Sequence, residues 1–174
     1  FDLAEKYRNP VIVLGDGLLG QMMEPVVFGP ERAVADPAGW AARGKPKTRE
    51  RVIIRSLYLD PAQLERHVDH LFAKFAQMQA EEARAETWQC DDAPPVVVCA
   101  FGTVARMART AIARLRAEGL AVGLWRPVTA WPFPSHSLRL VAERTQRLLC
   151  IEMSKGQLVD DVRQVCGERR PVAF

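Results

Sequence analysis

Apolar and polar positions follow their most regular pattern between residues 93 and 174. Short apolar runs rich in β-branched residues predict buried strands at 96–101, 122–125 and 148–151, and 172–174 could begin a fourth. Segments with helical spacing lie between them, at 102–118, from Ser135 onward and at 157–165. Strands that alternate with helices at this spacing imply crossover connections and a parallel sheet. The predicted fold class is therefore α/β, with a three-layer open parallel sheet.

The helices of this region carry recognisable end signals. Gly119 and Gly167 follow two of them, where a glycine commonly ends a helix, and Ser135 is predicted to be the N-cap of another. One face of the first helix is predicted to be apolar and to pack on the sheet, with Met107, Ala108, Ala111, Ile112 and Leu115.

A long helix is predicted before the sheet, within residues 60–92. Asp60 can cap it, Pro61 suits its first position, and Gln63 completes a spacing that resembles a capping box. Leu64, Val68, Leu71, Phe75 and Met78 then recur at intervals of four and three, which forms one apolar seam. The polar stretch beyond Met78 predicts that the helix continues to Glu86 with its other side in water.

The first 28 residues hold one β-α unit, which is too small to fold alone. The apolar run 10–14 predicts a buried strand, Gly15-Asp16-Gly17 a turn, and residues 18–23 a short helix. Residues 29–59 form a connector broken by glycines and prolines, a length of irregular chain that is uncommon inside one compact domain.

Composition and charge narrow the class of protein. The 174 residues are 48% hydrophobic and 26% charged, which is ordinary for a globular chain. The net charge of +3 is too small to indicate a dense nucleic-acid-binding face. The four cysteines form no C-x-x-C pair, and no apolar run is long enough to span a membrane. We therefore expect a reduced, cytoplasmic protein.

Two motifs surround Asp16. Gly15-Asp16-Gly17-Leu18-Leu19-Gly20 matches G-x-G-x-x-G, but a dinucleotide site needs a second strand that ends in an acid about 20 residues on. The corresponding stretch is a loop, with Asp36 between prolines and glycines. Gly15-Asp16-Gly17 also resembles the opening of the magnesium–thiamine diphosphate motif, whose closing asparagines are missing, since Asn9 is the only asparagine and precedes it. No complete cofactor site and no metal site is predicted, and Asp16 is interpreted as a turn residue.

The connector offers one alternative function. Its positively charged side chains could bind the phosphates of a nucleic acid or of coenzyme A. Alternatively, the connector could be a solvated loop or a loop that faces a partner. The charged side chains are Arg43, Lys45, Lys47, Arg49, Arg51 and Arg55. No aromatic residue is interleaved to stack on bases, which weakens the reading as a single-strand binder.

Polar residues follow the predicted strands of the last region, at the edge where open parallel sheets bind ligands and partners. These candidates for a ligand or interface edge are Gly102, Thr103, Arg126, Thr129, Glu152, Lys155 and Gln157. The competing interpretation is structural, in which Thr103 caps its helix and Arg126 pairs with Glu152. No catalytic residue is predicted: Ser135 reads as a cap beside His136, and His67 and His70 as exposed helix positions.

Three separated motifs resemble the alpha subunit of 2-oxoacid:ferredoxin oxidoreductases, of the 2-oxoisovalerate (3-methyl-2-oxobutanoate) or the 2-oxoglutarate type. They are Ala100-Phe101-Gly102-Thr103-Val104-Ala105-Arg106, Arg126-Pro127-Val128-Thr129-Ala130-Trp131-Pro132-Phe133-Pro134, and Glu152-Met153-Ser154-Lys155-Gly156-Gln157. Residues 7–25, the stretch 56–59 and the long helix are also similar, so the resemblance covers nearly the whole chain.

The resemblance implies a domain organisation and a chemistry. Residues 1–28 would end a pyrimidine-binding domain, 29–59 form a basic connector, 60–92 a long linker helix, and 93–174 a transketolase C-terminal-like domain. The family's thiamine diphosphate, with magnesium, lies between the pyrimidine domain and a diphosphate-binding beta subunit. The 2-oxoacid is decarboxylated there, coenzyme A takes the acyl group, and iron–sulfur clusters on other polypeptides, among them a gamma subunit, pass electrons to ferredoxin.

The sequence is accordingly read as a C-terminal fragment of such a subunit, which serves assembly and the shape of the cofactor cleft and is inactive alone. The glutamate that activates the cofactor in the family would lie upstream of Phe1. A transketolase or a dehydrogenase beta subunit is the rival within thiamine enzymes. A stand-alone α/β module that binds nucleic acid or phosphate through the connector is the alternative outside them.

Overall fold

The structure is a computed structural model that describes residues 1–31, 39–41, 44, 47–48, 50–167 and 170–174. The chain divides into two units, one of residues 1–14 with 23–76 and the other of residues 15–22 with 77–174. The segment 15–22 thus belongs with the C-terminal part of the chain, although the sequence placed it with the first 28 residues.

A five-stranded sheet forms the centre of the second unit. Its strands are β1 (Ala85–Trp88), β2 (Val96–Cys99), β3 (Val122–Pro127), β4 (Arg147–Cys150) and β5 (Val172–Ala173), in the order β1-β3-β2-β4-β5. All neighbouring pairs are parallel except β1 and β3, which are antiparallel. The predicted parallel strands and the α/β class are confirmed.

The helices are α1 (Asp2–Tyr7), α2 (Pro61–Glu81), α3 (Gly102–Ala117), α4 (Ser135–Arg144) and α5 (Gln157–Cys166), with a short 3-10 helix at Leu19–Gln21. In the second unit, Ile112 and its neighbours on α3 pack against Val98 and Leu124 on one face of the sheet. Leu138 of α4 and Val162 of α5 pack with Trp125 in a separate cluster. Alternate residues of a strand point to opposite faces, so the three predicted layers are present.

Several local predictions are confirmed at the ends of these helices. Gly119 has φ +87°, and its N–H donates to the carbonyl of Arg116 across 3.0 Å, so it closes α3 in the left-handed conformation. Gly167, with φ +54°, follows α5. Ser135 was wrongly predicted to be an N-cap, since it is the first helical residue of α4 and Pro134 occupies the cap without a side-chain hydrogen bond.

The packing face of α3 is narrower than the sequence predicts. Ala108 and Ile112 are buried, but Met107 is 65% exposed and Ala111 is also exposed. The buried residues Ala105, Ala108 and Ile112 recur at intervals of three and four, and this spacing places Met107 outside the face that packs on the sheet.

The long helix begins as predicted and ends early. The Asp60 carboxylate accepts the Gln63 N–H at 2.8 Å, which confirms the cap, whereas α2 stops at Glu81 instead of reaching Glu86 or residue 92. The polar residues beyond it form β1 instead. That strand was missed because Ala-Glu-Thr-Trp carries little apolar alternation and is held by pairing with β3.

The predicted β-α unit of the first 28 residues is not formed. Residues 10–14 form no strand, and Val13 is 95% exposed, although their composition is typical of a buried strand. The predicted helix at 18–23 is reduced to the 3-10 turn. A strand needs a neighbouring strand to complete its backbone hydrogen bonds, and the described residues supply none to this run.

The remaining predictions concern the connector and the membrane. Arg43, Lys45 and Arg49, together with Asp36, lie outside the described residues. The Arg55 guanidinium lies 5.0 Å from the ring of Tyr58. Among the described residues, no helix is long and apolar enough to cross a membrane.

Candidate functional site at the carboxyl edge of the sheet

The predicted candidates converge on one edge of the sheet. Because β2, β3 and β4 run parallel, their carboxyl ends lie at the same side, and the seven candidate residues lie at or directly after those ends. The structure adds the segment 15–22, which is joined to this edge through Asp16.

The Asp16 carboxylate lies at the N-terminus of α3 and binds its second residue, Thr103. Its Oδ2 accepts the Thr103 N–H at 3.0 Å, and its Oδ1 accepts the Thr103 hydroxyl and the Leu19 N–H, both at 2.9 Å. Thr103 is only 4% exposed. A carboxylate at this position satisfies amides that have no partner within the helix and opposes the positive end of the helix dipole.

Gly102 makes this contact possible. It has φ +58°, and a Cβ at this position would lie 2.9 Å from Asp16 Oδ2. The glycine therefore serves the close approach of the carboxylate as well as the backbone turn. The amide of Leu19, followed by the amide and hydroxyl of Thr103, lowers the pKa of Asp16 below its ordinary value, so the carboxyl is charged at neutral pH.

The Glu152 carboxylate accepts hydrogen bonds from the backbone amides at the N-terminus of α5. Its Oε2 accepts the amides of Gln157 at 3.1 Å and Leu158 at 3.0 Å, its Oε1 accepts the amide of Val159 at 3.0 Å, and Ser154 donates its hydroxyl. Desolvation raises the pKa of Glu152, but the hydroxyl and the three amides outweigh it and the pKa is lowered. Both helices that begin at this edge after β2 and β4 are therefore capped by a carboxylate from within the chain.

Arg126 and Thr129 hold the antiparallel strand. The Arg126 guanidinium pairs with Glu86 of β1 at 2.8 Å, so the proposed pairing with Glu152 was wrong. Thr129 accepts the Arg84 amide at 3.0 Å and donates its hydroxyl to the Pro132 carbonyl at 2.8 Å. These contacts tie β1 and the loop after β3 together.

Lys155 and Gln157 have exposed side chains at the same edge. Among the described residues, no ion pair involves Lys155 and no group of three histidine, cysteine or acidic side chains could hold a metal. Asp16 already accepts three hydrogen bonds from the protein. The described residues at this edge therefore do not form a magnesium–diphosphate site.

The four cysteines do not fit an iron–sulfur site either. All four are free, and Cys99, Cys150 and Cys166 are buried in the cluster below α4 and α5. Cys99 and Cys150 lie opposite each other on β2 and β4. The hydrogen bond between their thiols, followed by desolvation, raises the pKa of Cys99 well above its ordinary value, which disfavours the thiolate that a metal requires.

Sequence reasoning did not place two residues at this edge, namely Asp16, which it interpreted only as a turn residue, and Glu86. The bond from the Leu19 amide to Asp16 is a local turn signal, visible in the spacing of three residues. The bond to Thr103, 87 positions later, leaves no signal in a single sequence. Glu86 was not predicted at this edge because the sequence analysis placed the residues of β1 in a helix.

Comparison with known proteins gives relatives that align over nearly the whole chain. Residues 95–174 match the family described as pyruvate:ferredoxin oxidoreductase core domain II. A ketoisovalerate oxidoreductase subunit, VorB, of Methanothermobacter thermautotrophicus is 43% identical over 97% of this chain and 48% of its own length. A 2-oxoglutarate synthase subunit, KorA, of Methanothermobacter marburgensis is 29% identical over 96% of this chain and 51% of its own.

A solved structure shares the fold. It is the 2-oxoglutarate:ferredoxin oxidoreductase from Magnetococcus marinus with 2-oxoglutarate, coenzyme A and succinyl-CoA bound, with a TM-score of 0.75 and 24% identity over 98% of this chain and 35% of that chain. The chain spans about half the length of the curated relatives that it matches.

Proposed function

We propose that the chain, a homologue of 2-oxoacid:ferredoxin oxidoreductase subunits, is part of the alpha subunit of such an enzyme. The reaction joins a 2-oxoacid and coenzyme A, releases carbon dioxide and a proton, and passes two electrons to ferredoxin. The observation that carries the proposal is the 43% identity to VorB over 97% of the chain. The relatives give no support to the nucleic-acid alternative.

We propose that this chain contributes to assembly of the enzyme and helps to shape its cofactor cleft. The helix N-termini after β2 and β4 are filled by Asp16 and Glu152, so this edge has no open cradle there for a phosphate. Thiamine diphosphate with magnesium, and the iron–sulfur clusters, would be held by residues outside this chain and by the proposed beta and gamma subunits. The isolated chain would then be inactive.

The proposed domain boundaries follow the family resemblance. Residues 1–28 would end a pyrimidine-binding domain, residues 29–59 would be a connector, residues 60–92 a linker, and residues 93–174 a transketolase C-terminal-like domain. The structure extends the sheet of that last domain by β1 at Ala85–Trp88. The exposed apolar run 10–14 supports the first assignment, since a run of this composition forms a stable strand only when the rest of a sheet covers it. A cytoplasmic location is also proposed, and the four free cysteines support it.

The substrate proposed first is ketoisovalerate, since the relative that acts on it is 43% identical and the 2-oxoglutarate synthase subunit 29%. The test uses the complex purified from its source cells through a tag on the full-length protein that carries this sequence. Ferredoxin reduction is measured with coenzyme A and ketoisovalerate, 2-oxoglutarate or pyruvate. We expect the highest kcat/KM with ketoisovalerate, and the proposal fails when no 2-oxoacid supports reduction.

Calorimetry on the isolated chain provides a second test. We expect no heat of binding for thiamine diphosphate with magnesium, because the part of the chain that the structure describes does not form its site. Clear binding would contradict the assignment of the cofactor to other parts of the complex.

A further inference from the structure

The Asp16 side chain joins the segment 15–22 to the rest of the second unit. Its carboxylate accepts the amide of Thr103 at 3.0 Å and the hydroxyl of the same residue at 2.9 Å. Within the described residues, the hydrogen bonds from this segment to the rest of the unit all end at Asp16, because the amides of residues 19–22 bond within the segment. Asp16 and Leu19 are half-buried and the rest of the segment is exposed, so packing adds little to this attachment.

The cap of α3 differs from the cap of α5 in the origin of its carboxylate. Glu152 lies five positions before Gln157, the first residue of α5, so that cap forms within one loop. Asp16 lies 87 positions before Thr103, and Phe101, the residue directly before α3, makes no side-chain capping bond. A local side chain would satisfy the same amide without the entropy cost of closing so long a loop. The remote carboxylate adds what a local cap cannot supply, because it attaches a distant part of the chain.

The start of α3 is adapted to this remote carboxylate. Gly102 has φ +58°, and a Cβ at this position would lie 2.9 Å from Asp16 Oδ2. The amide of Leu19, followed by the amide and hydroxyl of Thr103, lowers the pKa of Asp16, so the acceptor is charged at neutral pH. Hydrogen bonds to a charged acceptor are stronger than those between neutral groups. Residues from both sides of the junction therefore contribute to it.

We propose that Asp16 is a positioning residue for the reaction of the enzyme, because it fixes the segment 15–22 on α3 and thereby restrains the flanking runs 10–14 and 23–28. This inference rests on the proposed function, in which residues 1–28 end the domain that binds the pyrimidine of the cofactor. A displacement of about 1 Å, caused far from the reacting atoms, can lower an enzyme's rate by about 100-fold. Asp16 thus acts through the segment that it attaches, and its own carboxylate is occupied by protein donors.

The test uses the complex purified through the full-length protein that carries this sequence, with ferredoxin reduction as the assay. The variants are Asp16→Ala, Thr103→Val and the two combined, and the control is Arg116→Ala. The Arg116 guanidinium also joins separate elements, through Asp92 and the carbonyl of Val122, but it does so where β3 begins, at the amino ends of the parallel strands. The half-saturating concentration of thiamine diphosphate is measured for each enzyme, since a loss of folded protein alone would not change it.

Hydrogen exchange of the amides in residues 15–22 is measured on the same samples. In Asp16→Ala we expect this exchange to be at least about tenfold faster and the half-saturating cofactor concentration to rise by at least about tenfold. Arg116→Ala should change either quantity by less than about twofold. Thr103→Val should add less than about twofold in the Asp16→Ala background, because the two residues act through one contact.

Three results would overturn the proposal. They are an Asp16→Ala enzyme that saturates with the cofactor as the Arg116→Ala enzyme does, exchange in residues 15–22 that Asp16→Ala leaves unchanged, and independent, multiplicative effects of Asp16→Ala and Thr103→Val. A wild-type complex that reduces ferredoxin with no 2-oxoacid contradicts the proposed function instead. Hydrogen exchange then still decides whether Asp16 holds the segment.

Discussion

Gly102→Ala tests whether the approach of Asp16 to α3 governs the stability of this edge. The control is Gly119→Ala, because Gly119 also has a positive φ, +87°, but has open space around its Cβ position. An alanine in this backbone region costs about 1–2 kcal/mol, offset by about 0.4–1 kcal/mol from the restricted unfolded chain. The control should therefore lower the free energy of unfolding by roughly 1 kcal/mol.

Gly102→Ala has a second cost. Its Cβ would lie 2.9 Å from Asp16 Oδ2, so the carboxylate must move away and the amide of the buried Thr103 loses its acceptor. An unsatisfied buried donor costs about 1–3 kcal/mol, which brings the expected loss to about 2–4 kcal/mol. The excess over the control is the quantity that the structure predicts.

Urea unfolding followed by tryptophan emission measures both variants, since Trp125 lies fully buried in the sheet. Each variant is also made in an Asp16→Ala background, where the atom that the new Cβ meets is gone. There Gly102→Ala should cost no more than Gly119→Ala. The reasoning is refuted when the two glycine variants are equally stable in the wild-type background, or when the excess survives the removal of Asp16.

Three further substitutions test the edge and the core. The pKa of Glu152 is lower in the folded protein than in the unfolded chain, so its stabilisation is present above the unfolded pKa and is lost as the pH falls through the folded pKa. Glu152→Gln should therefore lower the free energy of unfolding at pH 7. The variant should also lose less stability than the wild type on acidification below about pH 4, as measured by urea titrations. Arg126→Ala should cost only about 0.2–1 kcal/mol, less in 1 M salt, because its ion pair with Glu86 is exposed, and a larger salt-independent loss would contradict this. Leu138→Ala should cost about 2–5 kcal/mol, because the side chain is fully buried between α4 and the sheet, and a smaller loss by thermal unfolding would show that the core collapses around the gap.

The parallel strands and their helices could be predicted because each segment carries its own signal. The valine run of β2 favours a strand and the glycine after α3 favours a helix end, and the tertiary structure agrees with both local preferences. The candidate residues of the carboxyl edge followed, since parallel strands must end at one side of their sheet.

Other features depended on contacts distant in sequence. β1 has weak strand propensity and exists through its pairing with β3, whereas residues 10–14 have strong propensity and form no strand in the described structure. Arg126 could have paired with either Glu86 or Glu152, and only the antiparallel position of β1 selects Glu86.

The sequence by itself thus determined the α/β class, the order of the parallel units and the edge where polar residues collect. The tertiary structure alone decided what those residues do: Gly102 and Thr103 hold Asp16, and Glu152 caps α5. The physical reason is that hydrophobic period and helix caps are short-range properties, while a hydrogen bond across 87 positions exists only after folding has brought its two groups together.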